Sequence, residues 1–160
     1  MTQDTPPADP AALTSFIETR YHARHREQLP DLTALALRVE RVHADAAGAP
    51  LGLAAILQLM TGELEVHMKK EELILFPAIR RGGASGLENP IAVMRADHED
   101  HQVMLAQIRA LTNNLTLPDG ACRSWTALYE GLASFLDDFD AHLQLENEVL
   151  FPQFEPEKTV

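Results

Sequence analysis

His67-x-x-x-Glu71 is followed by Leu75-Phe76-Pro77, and the same element returns 75 residues later as His142-x-x-x-Glu146 followed by Leu150-Phe151-Pro152. Residues four apart share one face of a helix, one turn above each other, so each His–Glu pair can reach a common point. Imidazole nitrogen with carboxylate oxygen is a ligand mixture that suits iron, manganese or zinc, and two such pairs can share a two-metal centre. A second motif doubles as well: His22-x-x-His25 recurs as His98-x-x-His101, offset by 76. Two copies of a helix pair, one helix bringing a His and the next a His–Glu, would deliver four imidazoles and two carboxylates to one place.

The elements that must position these groups read as helices throughout. Asp9-Pro10 is an acidic N-cap with proline at the first helical position, and the first helix runs from there towards His43. Pro30 interrupts it, but Leu32, Leu35, Val39 and Val42 resume a helical stripe, which predicts a kinked continuous helix. The second helix, about Leu51 to Arg80, carries Leu53, Ile56, Leu57, Met60 and Leu64 on a stripe that leads into His67, Glu71 and Ile74. A third opens at Asn89-Pro90, with Ile91, Met94, His98, His101, Leu105 and Ile108 on its inner face. Asn113 to Asp119 reads as a loop. The last helix aligns Trp125, Leu128, Tyr129, Leu132, Leu136, Phe139, His142, Glu146 and Val149. The expected fold is all-α: an antiparallel up-down-up-down four-helix bundle over residues 10–155, built from a duplicated helix pair, with 1–9 disordered or extended and 156–160 a tail.

Depth along the helices supports convergence. Counted from a connection near position 47, His22 lies 25 residues back, and His67 and Glu71 lie 20 and 24 forward. From position 83, Glu71 and His98 are 12 and 15 residues away. The third junction matches less well, since His98 is 18 residues from position 116 and His142 is 26. That connection or helix start must be irregular.

A lone His on an apolar face is ordinarily a core residue satisfied by a backbone carbonyl. Four at similar depth on four helices are another matter, because two carboxylates buried beside them need a cation and no Lys or Arg falls on these stripes. His22, His67, Glu71, His98, His142 and Glu146 are therefore the expected metal ligands. His25 and His101 are read as groups that orient a ligand or fill the core, with extra ligation as the alternative. His43 lies 21 residues from His22, about 31 Å along a continuous helix, and reaches the centre only if Pro30 turns the chain back. Glu72 and Glu148 read as solvated charges, Trp125 and Tyr129 as core. Phe76-Pro77 and Phe151-Pro152 are expected to end or kink their helices.

Composition narrows the function classes. At 160 residues the chain fits one domain, and its formal charge of −11 argues against nucleic acid or an anionic membrane as partner. Cys122 is the only cysteine, so an internal disulfide and a cysteine-rich metal site are out, and a reducing compartment is expected. With neither a signal-like amino terminus nor a long apolar run, the reading is a cytoplasmic protein.

The segments YHARHREQLP, RVHAD, HMKKEELILFP, TNNLTLP, ACRSWTALYEG and LDDFDAHLQLENEVLFP closely resemble the hemerythrin-like domain of the repair of iron centres family, over about Ala12 to Glu155. The resemblance implies a non-haem di-iron protein of nitrosative and oxidative stress. By it, His22, His67, His98 and His142 are terminal iron ligands, and Glu71 and Glu146 bridge the two irons together with an oxo or hydroxo group. Such a ligand set leaves one vacancy on each iron, whereas oxygen-carrying hemerythrins add a further histidine. Longer members carry an amino-terminal domain with a cysteine pair, which this chain is expected to lack. The implied function is repair of damaged iron–sulfur clusters, by iron donation or nitric oxide scavenging, with nitric oxide or dioxygen as ligands and iron–sulfur clients and an electron donor as partners. A hemerythrin-like carrier or sensor of dioxygen, nitric oxide or iron is the alternative, and a nitric oxide reductase or di-iron oxygenase a further one. Ferritin-like oxidases are disfavoured, since of their two Glu-x-x-His motifs only Glu40-Arg41-Val42-His43 is present.

Overall fold

The structure is a computed structural model that describes residues 5–83 and 86–156. Expectations for 1–4 and 157–160 lie outside the described residues. Among those described there is no strand, and the helices assemble into a bundle of four rods. The first rod is α1 (Pro10–Ile17), a π-turn (Glu18–His22) and α2 (Ala23–Val42). The second is α3 (Leu53–Lys70), a π-turn (Glu71–Leu75) and α4 (Phe76–Arg80). The third is α5 (Glu88–Leu111), and the fourth is α6 (Arg123–Gln144), a π-turn (Leu145–Leu150) and a 3-10 turn (Phe151–Phe154).

Local chemistry sets the ends of these rods. Asp9 caps α1, its Oδ2 accepting from the Ala12 N–H at 3.0 Å, with Pro10 at the first helical position. Helix α2 is continuous through Pro30. Its Glu40 accepts from the Gly52 and Ala54 N–H groups at 2.6 and 2.9 Å, neutralising the start of α3, so the lone Glu-x-x-His motif serves as a cap. The connection between α5 and α6 is irregular, as the mismatch in depth requires. It runs over 112–122 and carries three successive left-handed residues, Asn113, Asn114 and Leu115, with φ of 50°, 56° and 60°.

Side chains from the four rods form two apolar cores. One, around Leu29, Leu57, Met60, Trp125, Leu128 and Phe135, fills one part of the bundle. The other gathers Leu13, Ile17, Phe76, Ile91, Leu150 and Phe151. Helix α2 packs on α3 and α6, close enough that a Cβ at Gly131 would sit 2.7 Å from Leu32 Cδ2. Trp125 and Tyr129 are core residues, 2% and 3% exposed.

Three expected core positions are corrected. Ile74 is 64% exposed and Val149 42%, while their successors Leu75 and Leu150 are buried. Both differences have one cause: a π-turn winds one extra residue into the helix, so the apolar stripe advances by one position past Glu71 and Glu146. Val42 is 60% exposed because it ends α2, where the packed face gives out.

Candidate metal centre

A polar layer joins the two apolar cores. His22, His25, His67, Glu71, His98, His101, His142 and Glu146 are all buried. Six of them form two groups whose ligand atoms lie within 4.8 Å of one another: His22, Glu71, His142 and Glu146, and His67, Glu71, His98 and Glu146. The six sequence-derived candidates are thus brought together, and both glutamates belong to both groups.

Each imidazole is held through its Nδ1 and turns Nε2 inward. His22 Nδ1–H donates to Glu72 Oε2 at 2.8 Å, and His67 Nδ1–H to Asp97 Oδ2 at 3.0 Å. His98 Nδ1–H donates to Asn147 Oδ1 at 2.8 Å, and His142 Nδ1 lies 3.0 Å from Nε2 of His25. With Nδ1 protonated, a neutral imidazole offers a bare lone pair at Nε2. These Nε2 atoms face acceptors: His22 Nε2 is 3.1 Å from Glu71 Oε1, His98 Nε2 is 3.2 Å from His67 Nε2, and His142 Nε2 is 2.7 Å from Glu146 Oε2. His98 Nε2 also lies 3.0 Å from Glu146 Oε1, yet that oxygen has no aligned hydrogen bond, and Glu71 Oε2 has none either. Lone pairs converging on lone pairs, with two orphaned carboxylate oxygens, make a layer able to hold a metal ion.

The electrostatics point the same way. Burial, then the charge of Glu146, pushes the Glu71 carboxyl well above its usual range. Burial opposes ionisation of Glu146 too, but the neighbouring His142, and after it His98, outweigh it and hold that carboxyl low. Without a metal, the pair must keep a proton that a divalent ion would replace. Burial, then His142, lowers His22 to about 4; His67 is lowered by burial as well. Both are neutral at pH 7, as ligation demands.

The π-turns explain how the layer is assembled. Each widens the helix beside the site, with the N–H of Ala23, Phe76 and Phe151 bonding the carbonyl five residues back, at Glu18, Glu71 and Glu146. Pro77 and Pro152 follow directly and have no N–H for an α-type bond, which favours the wider turn before them. The chain continues helical past Phe76-Pro77 as α4, so that pair does not end its helix; past Phe151-Pro152 only a 3-10 turn remains. The two Phe rings lie parallel to ligand imidazoles, Phe76 on His22 and Phe151 on His98, at 5.8 and 5.7 Å between centroids and 11° between planes.

Of the remaining histidines, His25 orients His142, and its own pKa falls to about 2 through burial, then His142. His101 packs edge-on to His67 and Phe139 and belongs to neither four-residue group. His43 is remote from the centre, its Nε2 3.0 Å from Cys122 Sγ and its ring against Trp125. Glu72 is the clearest correction: far from being a solvated charge, it receives His22 and is clamped by Arg26. Glu148 is exposed, as expected. Asp97 and Asn147 hold two of the candidate imidazoles and are missed by sequence reasoning. A signal exists: Glu72, Asp97 and Asn147 each adjoin a candidate ligand in sequence, yet each bonds a candidate ligand on a neighbouring rod.

No described helix is long and apolar enough to cross a membrane. Residues 16–154 match the family model of the hemerythrin HHE cation binding domain. The chain is 51% identical over 141 residues to an iron-sulfur cluster repair protein YtfE of Yersinia pseudotuberculosis serotype O:1b, and 50% and 48% identical over the same length to those of Yersinia pestis strain Pestoides F and Edwardsiella ictaluri. Each match takes in 88% of this chain and 64% of the relative, so the chain spans a little under two thirds of these relatives' length. With that match over nearly its whole length, and a buried layer of histidines and glutamates able to hold metal, the chain belongs to the hemerythrin HHE cation-binding family.

Proposed function

We propose that this chain is a non-haem di-iron protein of the nitrosative and oxidative stress response, which helps to repair damaged iron–sulfur clusters by donating iron or scavenging nitric oxide. The observation that carries the reading is the sharing of Glu71 and Glu146 between two otherwise separate histidine pairs. In this assignment His22 and His142 hold one iron, His67 and His98 the other, and the two glutamates span both. Residues 10–155 form the functional unit, an up-down-up-down bundle from a duplicated helix pair. The contacts support that topology. His22–Glu71, Arg26–Glu65 and Glu40–Ala54 run in opposite senses along the first and second rods, as Arg95–Asn147 and Arg109–Asp140 do along the third and fourth. The equivalent stacking of Phe76 on His22 and Phe151 on His98 supports the duplication.

Iron, when bound, supplies open positions for diatomic ligands and one-electron chemistry. The chain's own residues do the rest. Glu72, Asp97, Asn147 and His25 fix the imidazoles, and the flanking Phe76, Phe151, Phe139 and Met94 exclude water. The relatives' name, iron-sulfur cluster repair protein, supports the choice of repair over oxygen carriage, and the single cysteine suits a reducing, cytoplasmic setting. The test is transfer from the iron-loaded protein to an apo iron–sulfur protein, beside anaerobic exposure of the reduced protein to nitric oxide. Cluster restoration at a rate above that of free ferrous iron supports repair. A reversible dioxygen adduct without transfer favours a carrier, and multiple turnovers of nitrous oxide a reductase.

A further inference from the structure

We propose that Arg26 and Lys70 make the two metal positions unequal, so that the ion held by His67 and His98 keeps the higher valence when the pair takes up one electron. The inference rests on the di-iron reading above and concerns residues that touch no metal.

In each four-residue group one imidazole is backed by a neutral acceptor, Asn147 for His98 and His25 for His142, and the other by a carboxylate. The two carboxylate contacts differ little in length, 2.8 Å for His22–Glu72 and 3.0 Å for His67–Asp97. What differs is the far side of each carboxylate. Arg26 grips Glu72 with both arms, Nη1 on Oε2 at 2.7 Å and Nη2 on Oε1 at 2.8 Å, so the oxygen that receives His22 already carries a guanidinium bond. Glu65 shares Arg26 at 2.9 and 3.1 Å, but it is more exposed and has Lys69 3.9 Å away. Behind Asp97, among the described residues, the one Lys or Arg is Lys70, its Nζ 3.6 Å from Oδ2 on a side chain 43% exposed, beyond hydrogen-bond length.

A carboxylate that accepts from a ligand imidazole raises that ligand's basicity. A bidentate guanidinium draws the charge away, whereas an exposed ammonium at longer range is screened by solvent. Asp97 therefore passes more electron density to His67 than Glu72 passes to His22, and the greater donation stabilises the higher charge at the His67/His98 position. In the step concerned, a dithionite-derived radical anion gives up one electron and is oxidised, the iron pair gains it, and no bond in the protein forms or breaks.

The experiment is a midpoint titration of the iron-loaded protein with dithionite, with Mössbauer spectra of the one-electron-reduced form, for wild type, Asp97→Asn, Glu72→Gln and Arg26→Gln. Asp97→Asn is expected to favour reduction by ~10-fold, about 59 mV for one electron, and to alter the ferric component. Glu72→Gln should move the equilibrium by less than about threefold and alter the ferrous component. Arg26→Gln, which uncovers Glu72, should move it the other way and bring the two irons closer to equivalence. Should Arg26→Gln fail to fold by circular dichroism, Lys70→Met gives the independent check: with its ammonium screened, the loss should move the equilibrium by less than about threefold and keep the ferric ion in place, and a larger shift overturns the inference. Equal shifts for Asp97→Asn and Glu72→Gln, or a ferrous component altered by Asp97→Asn, overturn the inference while leaving the di-iron reading intact. A wild-type protein that holds no iron pair overturns both.

Discussion

Glu71 and Glu146 are fully buried carboxylates whose ion pairs among the described residues are with histidines, and that one circumstance sets the chemistry the site can support. Replacing Glu71 by Leu should abolish retention of a full metal complement while leaving the helical circular dichroism unchanged. In the presence of chelator the same variant should be more stable than wild type, because a buried carboxyl with an orphaned oxygen, repelled by Glu146, is replaced by an apolar side chain. Denaturant unfolding with and without metal checks both signs. His25 yields a pH prediction. Its pKa is about 2 in the folded chain against the ordinary 6.5 of an unfolded one, so above pH 6.5 both states are neutral and its full contribution is present. Below 6.5 the unfolded chain takes up the proton and the folded one does not, so stability falls as pH falls, down to about pH 2. The slope from this residue is up to ~1.4 kcal/mol per pH unit. His25→Leu, measured metal-free at pH 7 and pH 5, should lose less stability on acidification than wild type; an equal loss would show that His25 is not buried neutral.

At the scale of the element, the three π-turns separate what is legible in the chain from what is not. Repeated spacing of His22, His67, Glu71, His98, His142 and Glu146 picks out the six side chains that converge in the buried layer, because a shared site constrains residue type as well as period. The apolar stripes locate all four rods, since burial imposes a 3.6-residue repeat wherever winding is regular. That repeat fails past Glu71 and Glu146, where Leu75 and Leu150 are buried in place of Ile74 and Val149. Glu72 escapes sequence reasoning for the same reason: on a regular helix the neighbour of an inward residue points aside, and here it sits in the widened turn. Asp97 is hidden differently, since a hydrogen bond between rods leaves no period in either. Removing one residue distinguishes the two kinds of winding. Deletion of exposed Ile74 only restores regular winding and should cost less stability and metal than deletion of exposed Leu59. The latter turns His67 and Glu71 about 100° away from the centre. Thermal unfolding and metal analysis of the two deletions check the order, and equal losses would contradict the role given to the π-turn.

For the whole molecule, two apolar cores flank one polar layer, so the layer is the place where a bound cation would add most to the bundle's cohesion. Metal and fold are then linked: binding to the folded chain alone raises stability with metal concentration, and acid releases the metal by protonating the same groups. Far from the layer, Glu40, His43 and the 112–122 connection tie the other end of the bundle, where Leu128 and Trp125 fill the interior and His43 packs on Trp125. The measurement that bears most directly on the central claim is the iron content of the chain, purified without added metal from iron-sufficient cells. The ligand set calls for about two irons per chain. A protein that carries one metal ion or none, even after anaerobic loading with ferrous iron, would contradict it.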